Sequence, residues 1–145
     1  MQRRRPDVLV VDDEHSCTEL VALLLDSEYE VRQVWDAAGA LLAIGLRPPA
    51  VLVTDLAMPG YGGEELLADV QRDFPCVLRV AYSSAPISEL RRIAGTTLAD
   101  ASVQKSGHIQ PLLHAIRELL ASGDHLCRRP SVSASVDSLD QVGGA

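Results

Sequence analysis

The chain alternates short apolar runs with longer segments of mixed pattern. Val8–Val11, Val51–Thr54 and Val77–Tyr82 are brief, rich in valine and leucine, and nearly free of alternating polar positions. Runs of that kind are strands covered on both faces, as in a parallel sheet. Residues 30–35 and 101–104 read as weaker strands. Between them lie helical patterns: about 16–26 with Leu20, Leu23 and Leu24, the Ala-rich stretch 37–45 ending at Gly45 and Pro48-Pro49, and 62–73 with Leu66, Leu67 and Val70. Two more follow, from Pro86 to about Gly95 and from Ile109 to Leu120, the last carrying Leu112, Leu113, Ile116 and Leu120 on one stripe. Five βα repeats predict an α/β fold, a doubly wound five-stranded parallel sheet with helices on both faces.

Acidic residues punctuate two of these strands. Asp12 and Asp13 close the first and Asp55 closes the third, which puts three carboxylates at the sheet edge where open α/β folds hold their ligands. One such aspartate alone reads as a helix cap or turn residue. Three at equivalent strand ends repel one another unless a cation offsets them, so the pattern points to a divalent-metal site containing a candidate nucleophile.

Composition narrows the field. A chain of 145 residues with 47% apolar content suits one core. A net charge of −7 argues against a direct nucleic-acid binder, which usually carries a basic patch; the one dense basic cluster, Arg3-Arg4-Arg5, reads as a solvated terminus. The longest nearly uncharged apolar stretch, Ala37–Leu46, is about half of what a bilayer span needs, so no membrane segment is expected. No signal-peptide pattern precedes the first strand, and a cytoplasmic location is expected. The cysteines at 17, 76 and 127 form no C-x-x-C pair and read as reduced thiols, and the four histidines lack zinc-ligand spacing.

The residues around the acidic group resemble a known family. Val10-Val-Asp-Asp-Glu14, Thr54-Asp-Leu-Ala-Met-Pro-Gly-Tyr-Gly-Gly63, Ser83-Ser84 after the fourth strand and Lys105 after the fifth are similar to the receiver domain of two-component response regulators. The resemblance covers roughly residues 7–121, leaving 1–6 as an N-terminal tail and 122–145 as a Ser- and Gly-containing tail expected to be disordered. It implies the flavodoxin-like strand order 2-1-3-4-5, an order for which the chemotaxis receiver is a standard example. It also implies a phosphoryl-accepting site dependent on Mg²⁺. In it Asp13 and Asp55 ligate the metal directly, Asp12 acts through a bound water, and the carbonyl of Ala57 completes the set. Asp55 is the nucleophile, Lys105 an ammonium against a phosphoryl oxygen, and Ser83 a hydroxyl donor to another. The implied partners are a histidine kinase or phosphotransfer protein, and a downstream protein or an output domain in a longer chain; a homodimer is compatible with it.

Two positions depart from the family pattern. Ser106 stands where proline usually follows the lysine, and Ser102 where a Tyr or Phe usually sits three residues before it. A cis bond is nevertheless expected at Lys105-Ser106, imposed by the fold so that the ammonium enters the pocket. Ser102 has no ring to swing, so Tyr82 or loop 84–88 is expected to carry any switching.

Three functions compete: a phosphorylatable signalling receiver that is not a metabolic enzyme, a degenerate receiver serving only as a binding or dimerisation module, and a small hydrolase such as a phosphatase. Against the last stands Ala57, where a second catalytic aspartate is needed. Val132, Val136, Leu139 and Val142 give the tail one weak amphipathic face. A stand-alone receiver and a fragment of a longer protein remain equally compatible with the sequence.

Overall fold

A computed structural model describes residues 4–128, with side chains through Ser122; the rest of the expected tail, the side chain of Cys127 and residues 1–3 lie outside it. In chain order the elements are β1 (Asp7–Val11), α1 (His15–Leu25), β2 (Glu30–Val34), α2 (Ala37–Leu46), β3 (Val51–Thr54), α3 (Gly63–Asp73), β4 (Leu78–Ser83), α4 (Ile87–Ala94), β5 (Ala101–Gln104) and α5 (Gln110–Arg128). The five strands pair in parallel in the order β2-β1-β3-β4-β5. This is the expected flavodoxin-like α/β sheet. The backbone of α5 continues past Leu120, where the sequence pattern ends the domain.

Strand side chains divide the core into two layers. Val8, Val10, Val51, Val53 and Val80 face the side covered by α1 and α5, where Val21, Leu25, Leu112 and Ile116 meet them. Leu9, Val11, Leu52 and Ala81 face the other side and pack against α2, α3 and α4 through Ile44, Leu66, Leu67, Val70 and Ile93. Because alternate positions serve opposite layers, a strand such as β3 must be apolar throughout, and all four of its residues are buried.

Two expectations change. In α1 the buried residues are Thr18, Val21 and Leu25, whereas Leu20 and Leu23 are 55% and 74% exposed and Leu24 is exposed as well. The helix has apolar residues on both flanks, and docking on β1 and β2 chose the stripe that includes a threonine. Thr18 is satisfied there, its hydroxyl bonded to the His15 carbonyl and to Gln33 Oε1. The second change concerns sulfur. Cys17 is a free thiol, as expected, but Cys76 is disulfide-bonded, which corrects the expectation of a reduced thiol there.

Candidate functional site

Parallel pairing brings the C-terminal ends of β1, β3, β4 and β5 to one edge. Val11 is the register partner of Thr54, and the Asp55 N–H donates to the Val11 carbonyl at 3.0 Å, so the residues that follow these strands are neighbours. Ser83 pairs with Gln104, and the Lys105 N–H donates to the Ser83 carbonyl at 2.9 Å. The order of the strands sets the order of the groups along the edge.

The three predicted carboxylates converge. Asp12, Asp13 and Asp55 each offer an oxygen within 4.8 Å of the others, with Asp13 exposed and the Asp12 and Asp55 side chains 3% and 11% exposed. Lys105 reaches them: its Nζ donates to Asp12 Oδ2 at 2.5 Å and to Asp55 Oδ2 at 3.4 Å, and it lies 5.7 Å from the centre of the Tyr82 ring. Burial alone would raise the Asp12 carboxyl, but hydrogen bonds from Lys105, the Glu14 N–H and the Cys17 thiol bring it below the ordinary carboxylate range. Burial works against the Lys105 charge too, and the bond to Asp12 with the charge of Asp55 outweighs it and holds the ammonium above its usual range. The Cys17 thiol, desolvated and beside Asp12, is pushed up to about 11.

The lysine arrives without the expected isomer. Among the described residues there is no cis peptide bond, so Lys105-Ser106 is trans. A cis bond before a non-proline residue costs about 2.5–4 kcal/mol, and the chain turns instead at Gly107, whose φ is +77°, a conformation that glycine adopts readily.

Loop 55–62 depends on a second glycine. A Cβ on Gly63 would lie 1.8 Å from the Asp55 carbonyl oxygen, so this close approach of α3 to the strand end admits no side chain. The Ala57 N–H donates to Asp55 Oδ1 at 3.3 Å, which sets Ala57 against the carboxylate, and Glu65 Oε1 accepts from the Gly62 N–H at 3.1 Å and caps α3. Ser83 is buried, and its Oγ accepts from the Ala85 N–H at 3.2 Å. The edge thus unites the predicted site residues on four strand ends, with the three carboxylates converging, the lysine in contact with Asp12 and Asp55, and Ser83 on the neighbouring strand. Sequence reasoning missed Cys17, Gln104 and the placement of Tyr82 beneath the lysine. Their only signal was position one turn or one residue from an acknowledged site residue. His15, at the start of α1, packs on Trp35 just after β2 with ring centres 4.5 Å apart and the rings tilted by 31°, an exposed pair and not a metal ligand set.

Hard oxygen donors converging beside one ammonium fit a small divalent cation, since Mg²⁺ takes one or two carboxylates and keeps waters on its other positions. Fold and site together define the class: the sequence profile described as "Response regulator receiver domain" matches residues 8–117, and the chain belongs to that family, whose members signal in two-component systems and bind Mg²⁺ at the acidic pocket. It is similar to the transcriptional regulatory protein TrcR of Mycobacterium tuberculosis, 31% identical over 140 residues that make up 95% of this chain and 54% of that protein. It is also similar to the hydrogenase transcriptional regulatory protein HoxA of Cupriavidus necator, 34% identical over 61% of this chain and 18% of that one. The chain thus spans about half or less of the curated relatives' length. Among solved structures it resembles the Thermotoga maritima response regulator TrrA in complex with Mg²⁺–BeF, with a TM-score of 0.73 and 25% identity over 79% of this chain and 98% of that one. The receiver domain protein of Methanospirillum hungatei shares the fold, with a TM-score of 0.77 over 83% of this chain and 98% of that one. Among the described residues no helix is long and apolar enough to cross a membrane.

Proposed function

We propose that this receiver accepts a phosphoryl group on Asp55 from a histidine kinase or a histidine phosphotransfer protein in the cytoplasm, and that the product changes which downstream protein or output domain it engages. The observation that carries this reading is the set of three carboxylate oxygens within 4.8 Å, two of which, on Asp12 and Asp55, are bridged by the Lys105 ammonium. An Asp55 oxygen attacks phosphorus, the bond from phosphorus to the donor's histidine nitrogen breaks, and an acyl phosphate forms while the imidazole leaves with the electron pair. Asp12, Asp13, Asp55 and the Ala57 carbonyl would hold Mg²⁺, which when bound neutralises charge on the transferring oxygens. Lys105 follows the transferred charge: its ammonium leaves the Asp55 carboxylate for a phosphoryl oxygen, as a point charge on a flexible stem can do. Ser83 donates its hydroxyl hydrogen to another oxygen.

The donor would approach along α1. Leu20 and Leu24 are exposed there and, with Cys17, Lys105, His108 and Ile109, line a groove of about 340 Å³. An apolar strip leading to the reacting edge gives a helical donor its contact area. A lysine already seated on Asp12 and Asp55 favours this reading over a binding-only module. Incubation with acetyl phosphate and Mg²⁺, followed by intact-mass measurement, tests it: wild type gains one phosphoryl group and Asp55→Asn gains none. Labelling that persists in Asp55→Asn overturns it.

A further inference from the structure

Ala85 is held on both sides of its Cα, through the peptide groups that precede and follow it. Its N–H donates to Ser83 Oγ at 3.2 Å, and its carbonyl accepts from Gln104 Nε2 at 3.1 Å. Gln104 can do this because it is the register partner of Ser83, and paired residues of a parallel sheet point to the same face. That face is the one against which α4 packs, since Ala81, two residues before Ser83, lies in the same layer as Ile93 of α4. Two residues before Gln104 on this face is Ser102, whose Oγ is buried with no hydrogen-bond partner. No large side chain at 102 intervenes between β5 and the loop after β4, and the loop's tether is the amide of Gln104.

The consequence for Ser83 is chemical. A serine hydroxyl has one hydrogen to donate and two acceptor lone pairs. With the Ala85 N–H occupying a lone pair, the hydroxyl hydrogen is left for an oxygen elsewhere, and the direction of Oγ is fixed by where Ala85 sits. We infer that Gln104 is a positioning residue for the phosphoryl group: it fixes Ala85, Ala85 orients the Ser83 hydroxyl, and Ser83 meets an oxygen of the group on Asp55 with little further loop ordering. This rests on the reading of Asp55 as phosphoryl acceptor and Ser83 as its hydroxyl donor, and adds to it the residue that presets the donor.

The test is a double-mutant cycle on beryllofluoride, which mimics the acyl phosphate, measured by calorimetry with Mg²⁺ present. Gln104→Leu should weaken beryllofluoride binding roughly fivefold, the size of one net hydrogen bond, and speed amide exchange at Ala85 without added ligand. Gln104→Glu, which keeps the volume but sets a carboxylate oxygen against the Ala85 carbonyl, should weaken beryllofluoride binding at least as much. Mg²⁺ affinity measured alone should be unchanged in Gln104→Leu, which adds no charge and does not touch the carboxylates. In a Ser83→Ala background the Gln104→Leu penalty should vanish, because residues acting through one another are not additive. A penalty that persists in Ser83→Ala, or wild-type affinity in both Gln104 variants, overturns the proposal alone. Wild-type protein that takes up no beryllofluoride overturns the reading beneath it and the proposal with it.

Discussion

At the scale of single residues, the site balances three carboxylates against one ammonium. The Lys105 charge occupies the Asp12 and Asp55 oxygens that a metal would also need, so the two cations compete for those oxygens, and the lysine must yield one of them when the metal enters. Lys105→Ala should therefore bind Mg²⁺ at least as tightly as wild type by calorimetry. Its initial rate of labelling by acetyl phosphate should fall about tenfold, as expected for one hydrogen bond to a charged group. Gly63 sets a limit of another kind. A methyl group at that position would collide with the Asp55 carbonyl, and Gly63→Ala should cost about 3 kcal/mol in urea denaturation, at the upper end for overpacking. Metal affinity should fall with it, since the carbonyl that must move belongs to Asp55, one of the proposed metal ligands.

At the scale of elements, β4 and α1 show two uses of exposure. Arg79 lies within β4 and is buried, yet its guanidinium donates to the carbonyls of Leu98 and Val77 at 2.8 and 3.0 Å, and Asp100 Oδ2 accepts from the Arg79 backbone N–H at 2.8 Å. A buried cation with these partners pins the connection between α4 and β5 at the edge of the sheet opposite the carboxylates. Asp100→Ala should lower stability by about 2 kcal/mol through the lost charge-assisted bond from the Arg79 N–H and the lost 3.9 Å ion pair with its guanidinium, while leaving Mg²⁺ affinity unchanged; thermal unfolding and calorimetry check both halves. The outer stripe of α1 has the reverse character. Leu24→Glu should change stability by no more than about 0.5 kcal/mol, as for other exposed positions. Phosphotransfer from a kinase should slow in this variant while labelling by acetyl phosphate, which needs no docking, stays at the wild-type rate.

At the scale of the whole molecule, the proposed metal binding should be linked to folding, because the three carboxylates meet only when β1 and β3 are paired. A ligand that binds only the folded chain at about a hundredfold its Kd adds about 2.7 kcal/mol of stability. Mg²⁺ at that level should raise the melting temperature of the wild type, a chelator should reverse the rise, and Asp13→Ala should largely abolish it. A rise of equal size in Asp13→Ala would separate the stabilisation from this site.

The sequence by itself determined the class of fold and the identity of the acidic site. Apolar runs such as Val51–Thr54 can be satisfied only between two helical layers, and carboxylates at Asp12, Asp13 and Asp55 are fixed to strand ends by their position one or two residues after those runs. Even the strand order followed once the family resemblance was drawn. The tertiary structure alone decided which stripe of α1 would be buried, because Leu20, Leu23 and Leu24 and the observed trio of Thr18, Val21 and Leu25 are both periodic, and only packing against β1 and β2 chooses between them. It alone decided that Lys105 reaches Asp12 and Asp55 over a trans bond, since the expected cis bond came from analogy while the actual turn is made at Gly107. Gln104 shows the same limit: its tether to Ala85 joins residues 19 apart in sequence, and a contact made by register across two strands has no signature in the order of residues along either one.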